Sequence, residues 1–432
     1  MANMGTNNSH ADVVIIGAGA VGAATACELA RRGASVTVLE AGDAVGNGCS
    51  YANAGLLAPS HVEPLTTPAN VLDGLRYMFA PDSPFHVHPN PKLLPWFLQF
   101  AAASTPRRAR AMTARLQELA EHSLQLHAAY ADDGMDTGYR HSGSMDVFLT
   151  EQHYEQTRET FDDGAGAPGG GTHQPGADSG QTRLLTADET RTLEPALGTV
   201  AGAIHRPAEA ICGSQEFVAA TLKTAEQHGA TIHWGTHVRQ LDAGATRITG
   251  VSTNRGRFTG DEYVVAAGLE SDRLCGNVGV RMPLQGAKGY VVDLEVTGEV
   301  PEIPMLFKEL KVVATPYPDR LRLSGTLELG GDPRELNQRR IQAIRDAGDR
   351  GLPRLNISRT IQTWAGQRPC TSDGVPVIGR STKRPNLTVT AGHGMWGLTL
   401  GPVTGELVAR GLLEAAPTLH EAAFSPDRFS RS

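Results

Sequence analysis

The chain has 432 residues, of which 40% are hydrophobic and 20% charged, with a formal net charge of -7 and no long basic run. That balance belongs to a globular protein large enough for two domains with sizeable cores, not to a fibre or a disordered chain. It gives phosphate-backbone binding no electrostatic basis, so nucleic acid is not an expected partner.

The N-terminal MANMGTNNSH lacks the basic and apolar regions of a secretory signal and reads as a frayed tail. Asp12 to Ile16 is a β-branched run, as expected of a strand buried on both faces. It enters Gly17-Ala18-Gly19-Ala20-Val21-Gly22, a G-x-G-x-x-G turn that opens a helix ending near Gly33. The first glycine permits the turn, the second lets a pyrophosphate approach backbone N–H groups, and the third lets helix and strand pack closely. The helix aims its positive end at the pyrophosphate. A second strand, Ser35 to Leu39, ends at Glu40, whose carboxylate is placed to accept hydrogen bonds from ribose hydroxyls and to disfavour a 2'-phosphate.

Ala41 to Leu57 is a long loop of small residues that lets backbone approach more of the cofactor, which points to FAD over NAD. From His61 to Pro106 the chain is rich in proline and aromatics. Tyr77, Met78, Phe79, Trp96, Phe97 and Phe100 there fit the core of a second domain, with peripheral membrane contact as the alternative use. No run approaches bilayer length, and Leu93 to Ala103 is broken by Pro95 and Gln99. Met112, Leu116, Leu119, Leu126 and Tyr130 mark one face of a helix. A strand is expected at Ser144 to Leu149, a polar helix at Glu151 to Phe161, and a mobile surface insert over 162–182. A short helix follows at Leu184 to Glu194, then a strand at Gly202 to Arg206.

Ser214 is placed to cap a helix ending before Gly229. Strands are expected at Thr231 to Trp234, Ile248 to Thr253 and Arg257 to Thr259, then a buried strand from Asp261 into Ala266-Ala267-Gly268. Gly289 to Val296, Lys311 to Thr315, Leu321 to Leu327 and Ser358 to Ala365 alternate as an antiparallel sheet does, with a helix at Arg334 to Ala347. The chain ends in strand, glycine-rich turn and helix: Leu387 to Ala391, Gly392-His393-Gly394-Met395-Trp396-Gly397, and a helix from Pro402. Cys27, Cys49, Cys212, Cys275 and Cys370 are scattered, as reduced cytoplasmic thiols would be, and imply neither a disulfide framework nor a metal site.

Together these pieces resemble the FAD-dependent D-amino acid oxidase superfamily, most closely its D-amino acid dehydrogenase and glycine oxidase branches. The segments that carry the resemblance are the glycine turn with Glu40, Ser50-Tyr51-Ala52-Asn53-Ala54-Gly55, Lys288-Gly289-Tyr290, Trp364 to Pro369, Asp373 to Gly379, and Gly392-His393-Gly394. The fold implied is α/β. It has a Rossmann-like FAD domain, discontinuous over 11–80, 195–280 and 365–425, and an α+β substrate domain on a mostly antiparallel sheet over 81–194 and 281–364.

The resemblance implies FAD contacts at Gly17, Ala18, Gly19, Val21, Gly22, Glu40 and Ala41. It adds Ser50, Asn53, Ala54, Gly55 and Leu56 in the loop and Val238 toward the adenine, and the small residues Ala267 and Gly268 at the strand end suggest close approach to the cofactor. Gly392, Gly394, Gly397, Leu398 and Thr399 would wrap the pyrimidine end of the flavin. Arg368 is implied as the partner of the substrate carboxylate, a match of planar guanidinium to carboxylate. His393 and Tyr290 are the other candidate catalytic residues. Cys370 lies closer to Asp373 than the covalent-flavin pattern of the sarcosine-oxidase branch requires, so non-covalent FAD is expected. That branch also uses a lysine to activate oxygen, and 312–382 contains none.

The implied reaction is oxidation of a D-amino acid, or of a cyclic imino acid such as a D-proline derivative. Hydride passes from Cα to flavin N5, and the imino acid hydrolyses to a 2-oxo acid and ammonia. Electrons go to a quinone or other acceptor. The alternatives are an oxidase that passes them to O2 and releases hydrogen peroxide, and a non-catalytic FAD-binding subunit of a larger complex. The expected setting is cytoplasmic, with peripheral contact at the inner face of the membrane and an oligomer left open.

Overall fold

The computed structural model describes residues 10–45, 48–68, 85–88, 90–162, 181–414 and 421–430. Residues 1–9, Tyr77, Met78 and Phe79, the boundary near residue 80 and nearly all of the 162–182 insert lie outside the described residues, while His10, expected in the frayed tail, instead opens the first strand.

The first sheet is built on β1 (His10–Ile16) and β2 (Val36–Leu39), joined by α1 (Ala20–Arg31). β2 pairs in parallel with β9 (Thr231–His233), and β1 with β12 (Gly256–Val265), beyond which β19 (Leu387–Ala391) and β18 (Val377–Arg380) continue the sheet. The strands expected separately at 257–259 and from 261 are one. The first part of β12 forms an antiparallel unit with β11 (Ile248–Thr253) and, through it, β10 (Val238–Ala243), before turning in parallel along β1. Val13 to Ile16 are at most 3% exposed, which is why their sequence runs apolar without alternation.

The second sheet runs β17 (Leu355–Thr371), β13 (Leu284–Gly298), β16 (Arg320–Leu329), β15 (Val312–Tyr317), β14 (Met305–Phe307), β5 (Ser144–Phe148), β7 (Gly202–Arg206) and β6 (Arg183–Thr186). β4 (Phe85–Val87) adds in parallel to β16, and β3 (Leu56–Leu57) pairs with β8 (Ala210–Ile211) apart from both sheets. Successive residues of a strand point to opposite faces. On β13, Tyr290, Val292 and Leu294 turn to one face, where they join Leu321, Leu323 and the inner side of α8 (Gln338–Gly351) in an apolar cluster. The other face carries Asp293 opposite Arg322, and on β17 the residues Gln362, Trp364, Gly366 and Arg368.

That polar face meets the loop after β2. Arg322 grips Asp293 through Nε (2.7 Å) and Nη2 (2.8 Å) while Nη1 donates to the Asn53 carbonyl at 2.9 Å. Gln362 donates to Asp293 at 2.6 Å and accepts from the Tyr51 hydroxyl at 2.9 Å, and Thr315 Oγ1 donates to the Ala54 carbonyl at 2.6 Å. Asp293 is fully buried and Arg322 is 2% exposed. Breaking such a pair from one side leaves a bare buried charge, which costs about 3 to 5 kcal/mol.

Three expected assignments are corrected. β7 belongs to the second sheet although 195–280 was assigned to the cofactor domain, and β17 carries the second sheet through Thr371, past the boundary expected at 365. The long helix α3 (Pro106–Asp132), expected in the substrate domain, packs on the first. Its Tyr130 hydroxyl donates to Glu28 of α1 at 2.6 Å, and its Leu116 and Ala120 join Leu400 and Val403. α9 (Gly401–Leu413) lies against α1 so closely that a Cβ on Gly405 would meet the Ala24 carbonyl at 2.7 Å.

The remaining helices confirm the periodicity with shifted ends. The polar helix is α4 (Glu151–Asp162), and the one expected from Leu184 is preceded by β6 and starts as α5 (Ala187–Leu193) behind a Thr186–Glu189 capping box. α6 (Ser214–Gln227) has Gly213 at its N-cap, so Ser214 does not cap it. α7 (Glu270–Gly276) follows β12, and α8 starts four residues later than expected because Asn337 caps it. In α2 (Leu94–Ala103), Trp96, Phe97 and Phe100 pack over Leu65, Phe85 and Val87, while Leu94 and Leu98 are exposed. Among the described residues no helix is long and apolar enough to cross a membrane.

His127 fixes α3 in place. It is fully buried, its Nε2 lies 3.1 Å from the Leu398 carbonyl, and burial pulls its pKa down to about 4. The unfolded chain takes up this proton near pH 6.5, the folded chain near 4. Stability is therefore lost as the pH falls through that window, by up to about 3 kcal/mol for this residue. In urea unfolding at pH 7 and pH 4.5, His127→Gln is expected to lose less stability on acidification than wild type. Equal losses would assign the acid sensitivity elsewhere.

Candidate active site

A cavity of about 620 Å³ runs along the carboxyl ends of β1, β2 and β12, within the size range of cofactor sites. Its floor is the glycine turn. Gly17 has φ +102, and a Cβ there would meet the Ala266 carbonyl at 2.5 Å. A Cβ on Gly22 would lie 2.0 Å from the Gly17 carbonyl, so Gly22 packs helix on strand and stays behind the wall. Gly17, Ala18, Gly19 and Val21 line the cavity at the N-terminus of α1.

Glu40 and Ala41 line it from the end of β2. Glu40 Oε2 accepts the Ala18 N–H at 2.7 Å and Oε1 the Gly42 N–H at 2.8 Å, so the carboxylate holds the glycine turn and its own loop together. Each oxygen keeps lone-pair capacity for a hydroxyl. Ser50 Oγ accepts from the Ala20 N–H at 3.0 Å, closing off one helix-terminal donor, and Asn53 lines the wall beside it. Ala54, Gly55 and Leu56 do not reach the cavity. They anchor the loop: a Cβ on Gly55 would strike the Tyr317 hydroxyl, Ala54 binds Thr315, and Leu56 pairs in β3. Ser214 joins this anchoring through the Asn53 N–H at 3.2 Å.

Val238, Ala267 and Gly268 form the far end, beside Trp234, Thr236 and His237. Gly392, His393, Gly394, Gly397 and Leu398 form the near end, and Thr399 lies buried behind them. Gly392 and Gly394 have φ +73 and +56, which lets this turn fold under the N-terminus of α9. His393 Nε2 lies 3.1 Å from Thr404 Oγ1 of α9, and burial pulls its pKa down to about 4, so the ring is neutral at pH 7. A neutral ring held by a hydroxyl orients the turn and adds no charge to it.

β17 reaches the near end too. Gly394 N–H donates to the Pro369 carbonyl at 2.8 Å, and Cys370 bridges to His393. Trp364, Gly366, Gln367 and Pro369 are on the wall. Arg368 stands just behind, near Cys49, which is on it. Arg368 Nη1 donates to the Thr326 carbonyl at 3.0 Å. Burial pulls its pKa below the usual guanidinium value, with the thiols of Cys49 and Cys370 opposing, and among the described residues no carboxylate pairs with it.

Two candidates are placed elsewhere. Tyr290 is fully buried on the α8 face, its hydroxyl 2.7 Å from Glu328, and cannot cover a substrate at this cavity. Lys288 lies on that side too, donating to the Asp332 and Glu335 carbonyls, so it is committed away from the cavity. All five cysteines are free, and burial pushes the Cys370 thiol up to about 12. Cys49, Trp234 and Trp364 were missed as wall residues. Only Trp364 carried a signal, its position in the Trp364 to Pro369 motif.

The cavity fits FAD. It is walled by glycines, opens at the N-terminus of α1 and carries the Glu40 carboxylate at the end of β2, the pattern that suits a dinucleotide's pyrophosphate and ribose. The chain matches the family described as FAD dependent oxidoreductase over residues 12–410. A D-amino acid dehydrogenase of Paramagnetospirillum magneticum is 32% identical over 408 residues, covering 92% of this chain and 94% of that protein. One of Xanthobacter autotrophicus is 30% identical over 434 residues, covering 97% and 99%. A glycine oxidase structure from Bacillus cereus superposes with a TM-score of 0.73 at 23% identity, covering 98% of this chain and 99% of that one, and shares the fold.

Glu40→Ala removes the carboxylate expected to accept from the ribose hydroxyls and frees the Ala18 and Gly42 N–H groups, a loss of about a few kcal/mol in total. Titration of apoprotein with FAD, followed by flavin fluorescence, is expected to show Kd raised at least about tenfold. An unchanged Kd would move the ribose contact elsewhere.

Proposed function

The chain belongs to the family of FAD dependent oxidoreductases, and from that premise we propose that it is a D-amino acid dehydrogenase whose substrate carboxylate is held by Arg368. The observation that carries this reading is the Arg368 guanidinium, half-buried at the edge of the cofactor cavity with a carbonyl beside it and, among the described residues, no carboxylate. Arg322 and Arg428, by contrast, each meet a carboxylate of the chain. A half-buried guanidinium left unpaired in this way is suited to a carboxylate brought by the substrate. The names of the two relatives support the substrate class.

FAD bound in the cavity supplies the acceptor for the hydride of Cα. The chain's residues orient and enclose. Arg368 holds the carboxylate, and Trp364 with Tyr51, ring centroids 5.7 Å apart, gives an aromatic wall above the loop. The Gly394–Pro369 hydrogen bond fixes the distance between the arginine's strand and the turn at the flavin end. Holding substrate in a reactive pose contributes much of the rate in such a reaction. No side chain has to remove the Cα hydrogen as a proton. The amine must be neutral, and the imino acid product hydrolyses in water to a 2-oxo acid and ammonia.

A quinone or similar acceptor suits the commitment of Lys288 away from the cavity, which leaves it unavailable to activate oxygen. In this reading the protein works in the cytoplasm at the inner face of the membrane. Leu94 and Leu98 of α2, 58% and 63% exposed, are the apolar residues offered to it. FAD is held without a covalent bond, since Cys370 is buried behind the cavity wall and does not line it. Acid precipitation is expected to release all of the flavin, whereas yellow colour left on the denatured chain contradicts this.

The holoenzyme alone is expected to bleach anaerobically with D-amino acids and not with their L-enantiomers. In air it should reduce an artificial dye far faster than it produces peroxide. Arg368→Ala is expected to lower kcat/KM by a factor corresponding to about 3 to 5 kcal/mol, roughly a hundredfold to a few thousandfold. Arg368→Lys, which keeps the charge and loses the fork, should fall between. FAD content should match wild type in both. If Arg368→Ala sheds its flavin while turnover per bound FAD is unchanged, the arginine is structural.

A further inference from the structure

Among the described residues no ion pair holds Arg368, and its position is shaped by the sheet that it crosses. Its side chain leaves β17 and passes over β13 at Gly289. A Cβ on Gly289 would lie 2.1 Å from Nη2 and 2.3 Å from both Cζ and Nη1, and these are the three nearest atoms to that point. Beyond it, β16 is bulged. Lys288 faces Glu328 and Tyr290 faces Gly325, so three steps along β16 match two along β13. In that bulge Thr326 has φ +67, a left-handed conformation that a β-branched residue rarely adopts. Its carbonyl is the one that accepts from Arg368 Nη1 at 3.0 Å. Strained backbone of this kind persists where the surrounding structure imposes it, often at a ligand site.

We propose that Gly289 and the Thr326 bulge are positioning elements that set where the Arg368 fork meets the substrate carboxylate, an inference that rests on the carboxylate role proposed above. Gly289 gives the guanidinium its channel across the sheet. The bulge turns one carbonyl to it, fixing one edge of the fork and leaving the other edge for the substrate.

The test compares an amino acid with its amide, using the ratio of their kcat/KM values on the holoenzyme. Gly289→Ala must displace the fork, and is expected to reduce the preference for the acid at least tenfold by lowering kcat/KM for the acid. Its kcat/KM for the amide and its FAD content should match wild type. Thr326→Gly, which keeps the carbonyl but relaxes the backbone, should reduce the preference severalfold. Both substitutions should be silent in an Arg368→Ala background, because their effect passes through the guanidinium. If Gly289→Ala folds poorly, the double variant decides: recovery of FAD content and melting temperature when Arg368 is also Ala supports the clash with the arginine, and failure to recover overturns the proposal. An acid preference that stays at the wild-type value in Gly289→Ala, with Arg368→Ala abolishing it, also overturns it. If Arg368→Ala itself keeps the preference, the carboxylate role has failed, a separate result.

Discussion

A positive charge taken out of water needs a negative partner, and two arginines on one face of the second sheet, one buried and one half-buried, meet that demand differently. Arg322 finds Asp293 within the chain and spends its last N–H direction on the Asn53 carbonyl. This clamps the second sheet to the loop that covers the cofactor cavity. Arg368, among the described residues, donates to the Thr326 carbonyl and meets no carboxylate. Desolvating an ion without an opposite charge is costly, and the proposed function answers that cost for Arg368 with an anion brought by the substrate.

The cavity itself is made of local features joined by a few long-range bonds. The glycine turn places the N-terminus of α1, Glu40 binds the turn to its own loop, and the 392–397 turn places the N-terminus of α9. The Gly394 hydrogen bond to Pro369, one residue from Arg368, joins β17 to the 392–397 turn. With Cys370 bridged to His393, the arginine's strand and the flavin-end turn form one rigid corner. His393 serves that corner by orientation, tied to α9 and neutral.

Legibility followed the range of the interactions. β1, the glycine turn, α1, β2 and Glu40 lie within thirty-one residues of chain and announce themselves through local pattern, as does the strand, turn and helix at 387–413. Strand membership did not, because pairing partners are far apart in sequence: nothing in Gly202 to Arg206 says that it sits beside β5, and nothing near residue 365 says that β17 continues to 371. The same holds for α3, whose apolar stripe showed a buried face but not which domain buries it. Tyr290 was misplaced for a related reason. Alternation divides a strand into two faces without saying which face meets the cofactor loop, and the long-range bonds from Arg322, Gln362 and Thr315 to residues 51–54 fix that choice. Ala54 and Gly55 sit in a cofactor-binding motif, yet one holds Thr315 and the other makes room for Tyr317.

The most direct test of the unpaired arginine needs no turnover. Oxidised holoenzyme is titrated with a small aliphatic monocarboxylate that has no amine, and separately with its amide, while flavin absorption is followed. A carboxylate drawn to Arg368 beside the flavin is expected to give a saturable spectral change and to compete with the amino acid, and the amide to give neither. Equal responses to acid and amide, or no response to the acid at any concentration that leaves the protein folded, would contradict a carboxylate site at Arg368.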